Sequence, residues 1–173
     1  KGYKNRVLNN LLANIFDYFN NELFINKIKN HLDYIGLNFY FDFEICITGL
    51  KNKYAKRSDI GWGLRPYSIY YVLKDLKDKY NLPIIITENG LADREDKYRK
   101  WWLDETVRAM GDALEEGVEL FGYLHWSLLD NFEWSEGHWP KFGLVEVDRD
   151  TYERRIRESG YYYRDLVREN TKK

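Results

Sequence analysis

The chain has 173 residues, enough for one domain with its own hydrophobic core and short for two. Its 27 basic and 28 acidic residues leave a formal net charge of -1, which excludes the long-range positive field that gathers nucleic acid or anionic lipid. Aromatic residues make up 17% of it, including 6 Trp and 15 Tyr, a surplus whose flat faces and polar edges suit sugar rings, and no apolar run approaches the roughly 20 residues that span a bilayer.

Leu8, Leu11, Leu12, Ile15 and Phe19 recur at helical spacing, and Phe24, Ile25 and Ile28 continue in a second short helical stretch. Tyr34 to Tyr40 is an apolar and aromatic run with the composition of a strand buried on both faces, ending in polar-tipped residues. Residues 42 to 66 lack a clean period and read as a long loop carrying the basic cluster Lys51, Lys53, Lys56 and Arg57. Cys46 within it is the only cysteine, so no internal disulfide forms, and a reducing compartment, the cytoplasm, is expected. From Pro66, a first-turn residue, Ile69, Leu73, Leu76 and Tyr80 mark an amphipathic helix that Asn81 and Pro83 end.

Residues 83 to 87 form a second apolar strand, running into the polar turn Glu88-Asn89-Gly90. Leu103, Val107, Met110 and Leu114 share one face of a helix over 101 to 116, and Gly117 sits where it stops. Residues 121 to 128 read as a third strand, 129 to 143 as an aromatic loop, 144 to 147 as a short extended piece and 161 to 170 as a closing helix. Strands separated by such helices indicate parallel β-α units, and three strands with two long edges indicate part of a larger α/β object. In an α/β barrel the chemistry lies at strand C-termini, where Asn38, Tyr40, Glu88 and Trp126 all fall here.

Glu88 is the sharpest chemical feature, a carboxylate presented at the mouth of an apolar strand; a rim or capping Glu is the plain alternative. Glu133, inside Asp130-Asn131-Phe132-Glu133-Trp134, can accept two hydroxyl hydrogen bonds while an indole covers the apolar face of a pyranose. His125 in an apolar run reads as a packed residue with a satisfied ring. No histidine, cysteine and carboxylate stand at ligand spacing, so no metal and no cofactor is expected. Gly61-Trp62-Gly63 lacks the context of a phosphate loop and reads as a hinge in the long loop, with Trp62 either buried or lining a site.

Ile86-Thr87-Glu88-Asn89-Gly90 resembles the Thr-Glu-Asn-Gly nucleophile segment of family one β-glycosidases, the β-glucosidase and β-galactosidase type. Tyr34 to Tyr40 is similar to their sixth strand, with Phe39 in place of a Tyr. His125 to Trp134 resembles their eighth strand and glycone loop, and Lys141-Phe142-Gly143-Leu144 followed by Val147-Asp148 resembles their ending. The resemblance spans roughly residues 7 to 170 and implies the C-terminal portion, about strands six to eight, of one (β/α)8 barrel domain over residues 1–173.

The resemblance also implies roles. Glu88 would be the nucleophile of a retaining mechanism, forming a covalent glycosyl-enzyme, and Tyr40 would orient it. Glu133 would bind distal glycone hydroxyls, Trp134 would donate its indole N–H, Trp126 would form the stacking floor, Phe142 would help close the rim, and Asn38 would support the nucleophile's surroundings. The family's acid/base segment, Thr-Asn-Glu-Pro, is not in the chain. The expected partners are therefore a β-linked glycoside and a separate segment carrying the first barrel strands, without which the chain is expected to be inactive. A non-catalytic carbohydrate-binding or structural half-barrel stays open as the alternative.

Overall fold

The computed structural model describes residues 2–46, 48–51 and 54–170; Lys53 of the basic cluster lies outside them. Helix α1 (Gly2–Asp17) runs through a π turn (Tyr18–Glu22) into α2 (Leu23–Ile28). The apolar spacing does make helix, but its face stays open: Leu11 is 53% and Phe19 65% exposed. After a 3-10 turn at Lys29–His31 come β1 (Ile35–Phe39) and a small antiparallel hairpin, β2 (Glu44–Cys46) with β3 (Gly49–Lys51). The hairpin falls inside the stretch expected to be loop. Three-residue strands are too short to print a period, and the positive φ of Gly49 is the one local sign of the turn.

Helix α3 (Ser68–Tyr80) buries Ile69 and Leu73 completely and stops at Asn81, whose left-handed backbone lets its N–H reach the Lys77 carbonyl. Strand β4 (Ile84–Asn89), helix α4 (Arg99–Glu115) and strand β5 (Leu120–His125) complete two β-α units, with Gly117 at φ +78 after α4. A second hairpin, β6 (Val145–Val147) with β7 (Arg154–Ile156), leads into α5 (Glu158–Asn170), which begins earlier than its apolar spacing indicated. Expected strand limits shift as well: Glu88 and Asn89 stand within β4 rather than in a turn, and β5 ends before Trp126.

The three long strands form a parallel sheet in the order β1-β4-β5. On one face Phe39, Ile84 and Ile86 pack with Ile69 and Leu73 of α3, Ala109 and Ala113 of α4, and Val118. The other face is formed by Gly36, Asn38, Ile85, Thr87 and Gly122: a Cβ on Gly36 would lie 3.3 Å from Thr87 Cγ2, and one on Gly122 3.1 Å from Ile85 Cδ1. Among the described residues no helix covers it, and Gly36, Asn38 and Leu124 are exposed. The expectation that these strands are buried on both faces thus fails in this chain. Their apolar composition is that of a parallel sheet covered on two sides, and only one side is covered here.

The strand ladder shifts register at several points, one of them early, between Ile84 and Ile85 in the pairing of β4 with β5. Pairing of β1 with β4 shifts between Leu37 and Asn38, so that Asn38 stands opposite Glu88. Pairing of β4 with β5 shifts between Ile86 and Asn89. These irregularities splay the strand ends around the candidate site.

Candidate active site

Glu88 sits in the last turn of the pleat in β4, and Tyr40 follows β1 directly. The Tyr40 hydroxyl donates to Glu88 Oε2 at 2.7 Å. Burial, then the hydrogen bond and charge of Glu88, push the Tyr40 phenol far above its ordinary value. It therefore stays a proton donor at every physiological pH, and engaging one carboxylate oxygen leaves Glu88 Oε1 as the free end of the acid.

Glu133 is brought to the same place by a tight turn: its N–H donates to the Gly137 carbonyl at 2.7 Å, and its own carbonyl accepts from Glu136 N–H at 2.8 Å. Burial and the charge of Glu88 raise the Glu133 carboxyl, while a hydrogen bond from the Trp126 side chain acts in the opposite direction. Glu88, Tyr40, Trp126 and Glu133 thus form one electrostatically connected group.

Phe142 is 1% exposed and reaches the group through rings, 6.1 Å from Tyr40 and 6.2 Å from Trp62. It is a wall behind Tyr40, not an exposed rim. Trp62 stacks on Phe41 at 4.7 Å and tilts against Tyr40 at 5.6 Å, so the expected hinge tryptophan joins the aromatic lining. Trp134 is 85% exposed on its 3-10 turn (Trp134–Glu136) and touches none of these rings among the described contacts. Asn38 accepts from the Thr87 hydroxyl at 2.6 Å on the open sheet face and stands opposite Glu88 in the ladder.

Sequence reasoning gave no role to Asn89, the residue after the carboxylate. It is fully buried, and its amide nitrogen donates to the Phe39 carbonyl at 2.6 Å while its amide oxygen accepts from Trp102 Nε1 at 2.8 Å. Tyr123 bridges that oxygen and His125 Nδ1, each at 3.0 Å. Burial and then the Arg99 charge push His125 down to about 3, so its ring is neutral. His125 Nε2 is buried without a hydrogen-bond partner, which corrects the expectation of a fully satisfied ring. Gly90 explains why no other residue can follow Asn89: a Cβ there would lie 1.8 Å from the Trp126 carbonyl oxygen.

Among the described residues no group of histidine, cysteine and carboxylate side chains could hold a metal ion, and no helix is long and apolar enough to cross a membrane.

Residues 9–172 match glycosyl hydrolase family 1. The chain is 36% identical over 163 residues to β-glucosidase A of Thermotoga maritima, covering 84% of this chain and 36% of that protein. It is also 36% identical over 162 residues to a β-galactosidase of Sulfolobus acidocaldarius, covering 83% of this chain and 33% of that one. The solved structure of the Thermotoga maritima β-glucosidase in complex with deoxynojirimycin superposes with a TM-score of 0.77 at 34% identity, covering 84% of this chain and 37% of that chain. This chain therefore spans about a third of the length of the curated relatives it matches, and its fold is part of the (β/α)8 barrel of those enzymes.

Proposed function

The chain belongs to glycosyl hydrolase family 1, and from that membership we propose that it carries the nucleophile and part of the glycone site of a retaining β-glycosidase acting on terminal β-glucosides or β-galactosides. On this reading β1, β4 and β5 are the sixth to eighth barrel strands. The observation that carries the proposal is the hydrogen bond from Tyr40 to Glu88 Oε2, at strand ends shared with Glu133 and Trp126.

In the first step Glu88 Oε1 bonds to the anomeric carbon as the bond from that carbon to the aglycone oxygen breaks, giving a covalent glycosyl-enzyme. Tyr40 holds the carboxylate at the attacking angle through the other oxygen. Water then attacks the same carbon, giving one proton to the second carboxylate that the retaining site requires, and Glu88 leaves as carboxylate; two displacements at one centre return the β configuration. Glu133 accepts hydroxyl hydrogen bonds from the bound sugar. Its assignment as an acceptor and not as the proton donor follows from the family resemblance; burial and the Glu88 charge raise its carboxyl, with the Trp126 hydrogen bond opposing them.

A retaining site needs a second carboxyl about 5 Å from the nucleophile to protonate the departing oxygen. That acid comes from a segment bearing the preceding strands, outside this sequence. The test is to mix the chain with a separately made segment carrying the first five strands of such a barrel and to assay an activated aryl glycoside before and after mixing. We expect activity only in the mixture. Glu88→Ala in that mixture should lose on the order of 10⁴-fold or more, with partial recovery in azide, which fits the vacated space. Wild-type-like turnover by Glu88→Ala would overturn the assignment.

A further inference from the structure

The strand ladder fails on both sides of β4 just where the candidate nucleophile stands, between Leu37 and Asn38 on one side and between Ile86 and Asn89 on the other. Beyond these shifts the pairing resumes at Asn89, which stands opposite Phe39 on one side and His125 on the other. Asn89 adds side-chain ties to that shifted register. Its side-chain amide nitrogen donates to the carbonyl of Phe39, the residue directly before Tyr40, at 2.6 Å. Its backbone carbonyl accepts from Trp126 N–H at 2.9 Å. Its amide oxygen accepts from Trp102 Nε1 of α4 at 2.8 Å and from the Tyr123 hydroxyl of β5 at 3.0 Å.

The orientation of that amide is fixed by its partners. An indole N–H can only donate and a main-chain carbonyl can only accept, so oxygen must face Trp102 and nitrogen must face Phe39. Trp102 and Tyr123 are the two close donors to the oxygen, with the Thr106 hydroxyl a longer third at 3.5 Å, and with Tyr123 donating there, His125 Nδ1 must carry the proton that it shares with the phenol oxygen. The side chain is fully buried, so no water can replace a lost partner at low cost.

We propose that Asn89 is a positioning residue that sets the distance and angle between Tyr40 and Glu88, acting through the Phe39 carbonyl. This rests on the assignment of Glu88 and Tyr40 made above. Trp102 and Tyr123 lock the amide; the nitrogen arm does the positioning.

Asn89→Asp separates the two arms. It keeps the size and both acceptor bonds, but puts an oxygen against the Phe39 carbonyl, and two acceptors at that distance repel. Trp102→Phe removes one donor to the amide oxygen and leaves the nitrogen arm intact. The readout is the ¹³Cζ resonance of Tyr40 in the full chain, identified by its disappearance in Tyr40→Phe. The change in that resonance on Glu88→Gln reports the Tyr40–Glu88 contact, as in a double-mutant cycle. We expect the response to fall by at least about half in the Asn89→Asp background and to persist in Trp102→Phe. If Asn89→Asp lacks a cooperative melt, Asn89→Ala, which drops the same donor without adding charge, takes its place. An undiminished response in a folded Asn89 variant, or equal loss in Trp102→Phe, overturns the positioning role and leaves the function of Glu88 standing. No response to Glu88→Gln in the wild-type chain removes the Tyr40–Glu88 pair itself, and both assignments with it.

Discussion

At the scale of single residues, Glu133 shows how environment assigns a task. Burial and the neighbouring Glu88 charge raise its carboxyl above the usual range, while the Trp126 hydrogen bond acts towards the ionised form, the one that the proposed glycone contact uses. In the assembled barrel, Glu133→Ala should cost about 2 to 4 kcal/mol of transition-state binding, or roughly 30- to 1,000-fold in kcat/KM. The sign of the pH effect follows from the raised value. The wild type loses ionised Glu133 as pH falls, and does so sooner than an ordinary carboxylate would, so the gap between wild type and variant should narrow towards acid pH. A penalty that varied only with the leaving group would place Glu133 outside the glycone site. Tyr40, Glu88, Trp126 and Glu133 were legible in the sequence because each lies in a short contiguous motif. Asn89 was quoted in such a motif without a role, since its partners are Phe39, Trp102 and Tyr123, separations that a local pattern does not encode.

At the scale of elements, the loop bearing Glu133 is anchored by a buried ion pair. Arg157, just before α5, donates to both oxygens of Asp130 at 3.1 and 3.0 Å, and Gly143 N–H donates to Asp130 Oδ1 at 2.9 Å. Removing one partner strands a buried charge, so Asp130→Ala should destabilise the fold by about 3 to 5 kcal/mol. Urea titration of the variant checks this; a loss under about 1 kcal/mol would mean the pair is screened like a surface one. The helices and long strands were readable because apolar spacing persists over many residues. The β2–β3 and β6–β7 hairpins were not, since strands of three residues show no alternation. Nor was the early start of α5 visible: its first turn is fixed by Asp96, which accepts from the Ser159 N–H at 2.8 Å.

At the scale of the whole molecule, the sheet is one-sided. β1 and β5 are its edges, no helix among the described residues covers the face bearing Gly36, Asn38 and Thr87, and Leu11, Phe19, Phe24 and Phe121 are all more than half exposed. Alone in solution the chain should bind a hydrophobic dye and self-associate, and light scattering after gel filtration measures this. It should also show negligible turnover, since general acid catalysis is worth about 10²- to 10⁴-fold and the acid lies elsewhere. A sharply melting, active monomer would sink this picture. Gly90 carries a different consequence. Its Cα lies so close to the Trp126 carbonyl that not even a methyl group fits between them. The segments after β4 and β5 are consequently held in close contact, and any motion of these strand ends must carry Glu88 and Trp126 together. Laboratory evolution of substrate range should therefore keep position 90 invariant and diversify the freely exposed Trp134 instead.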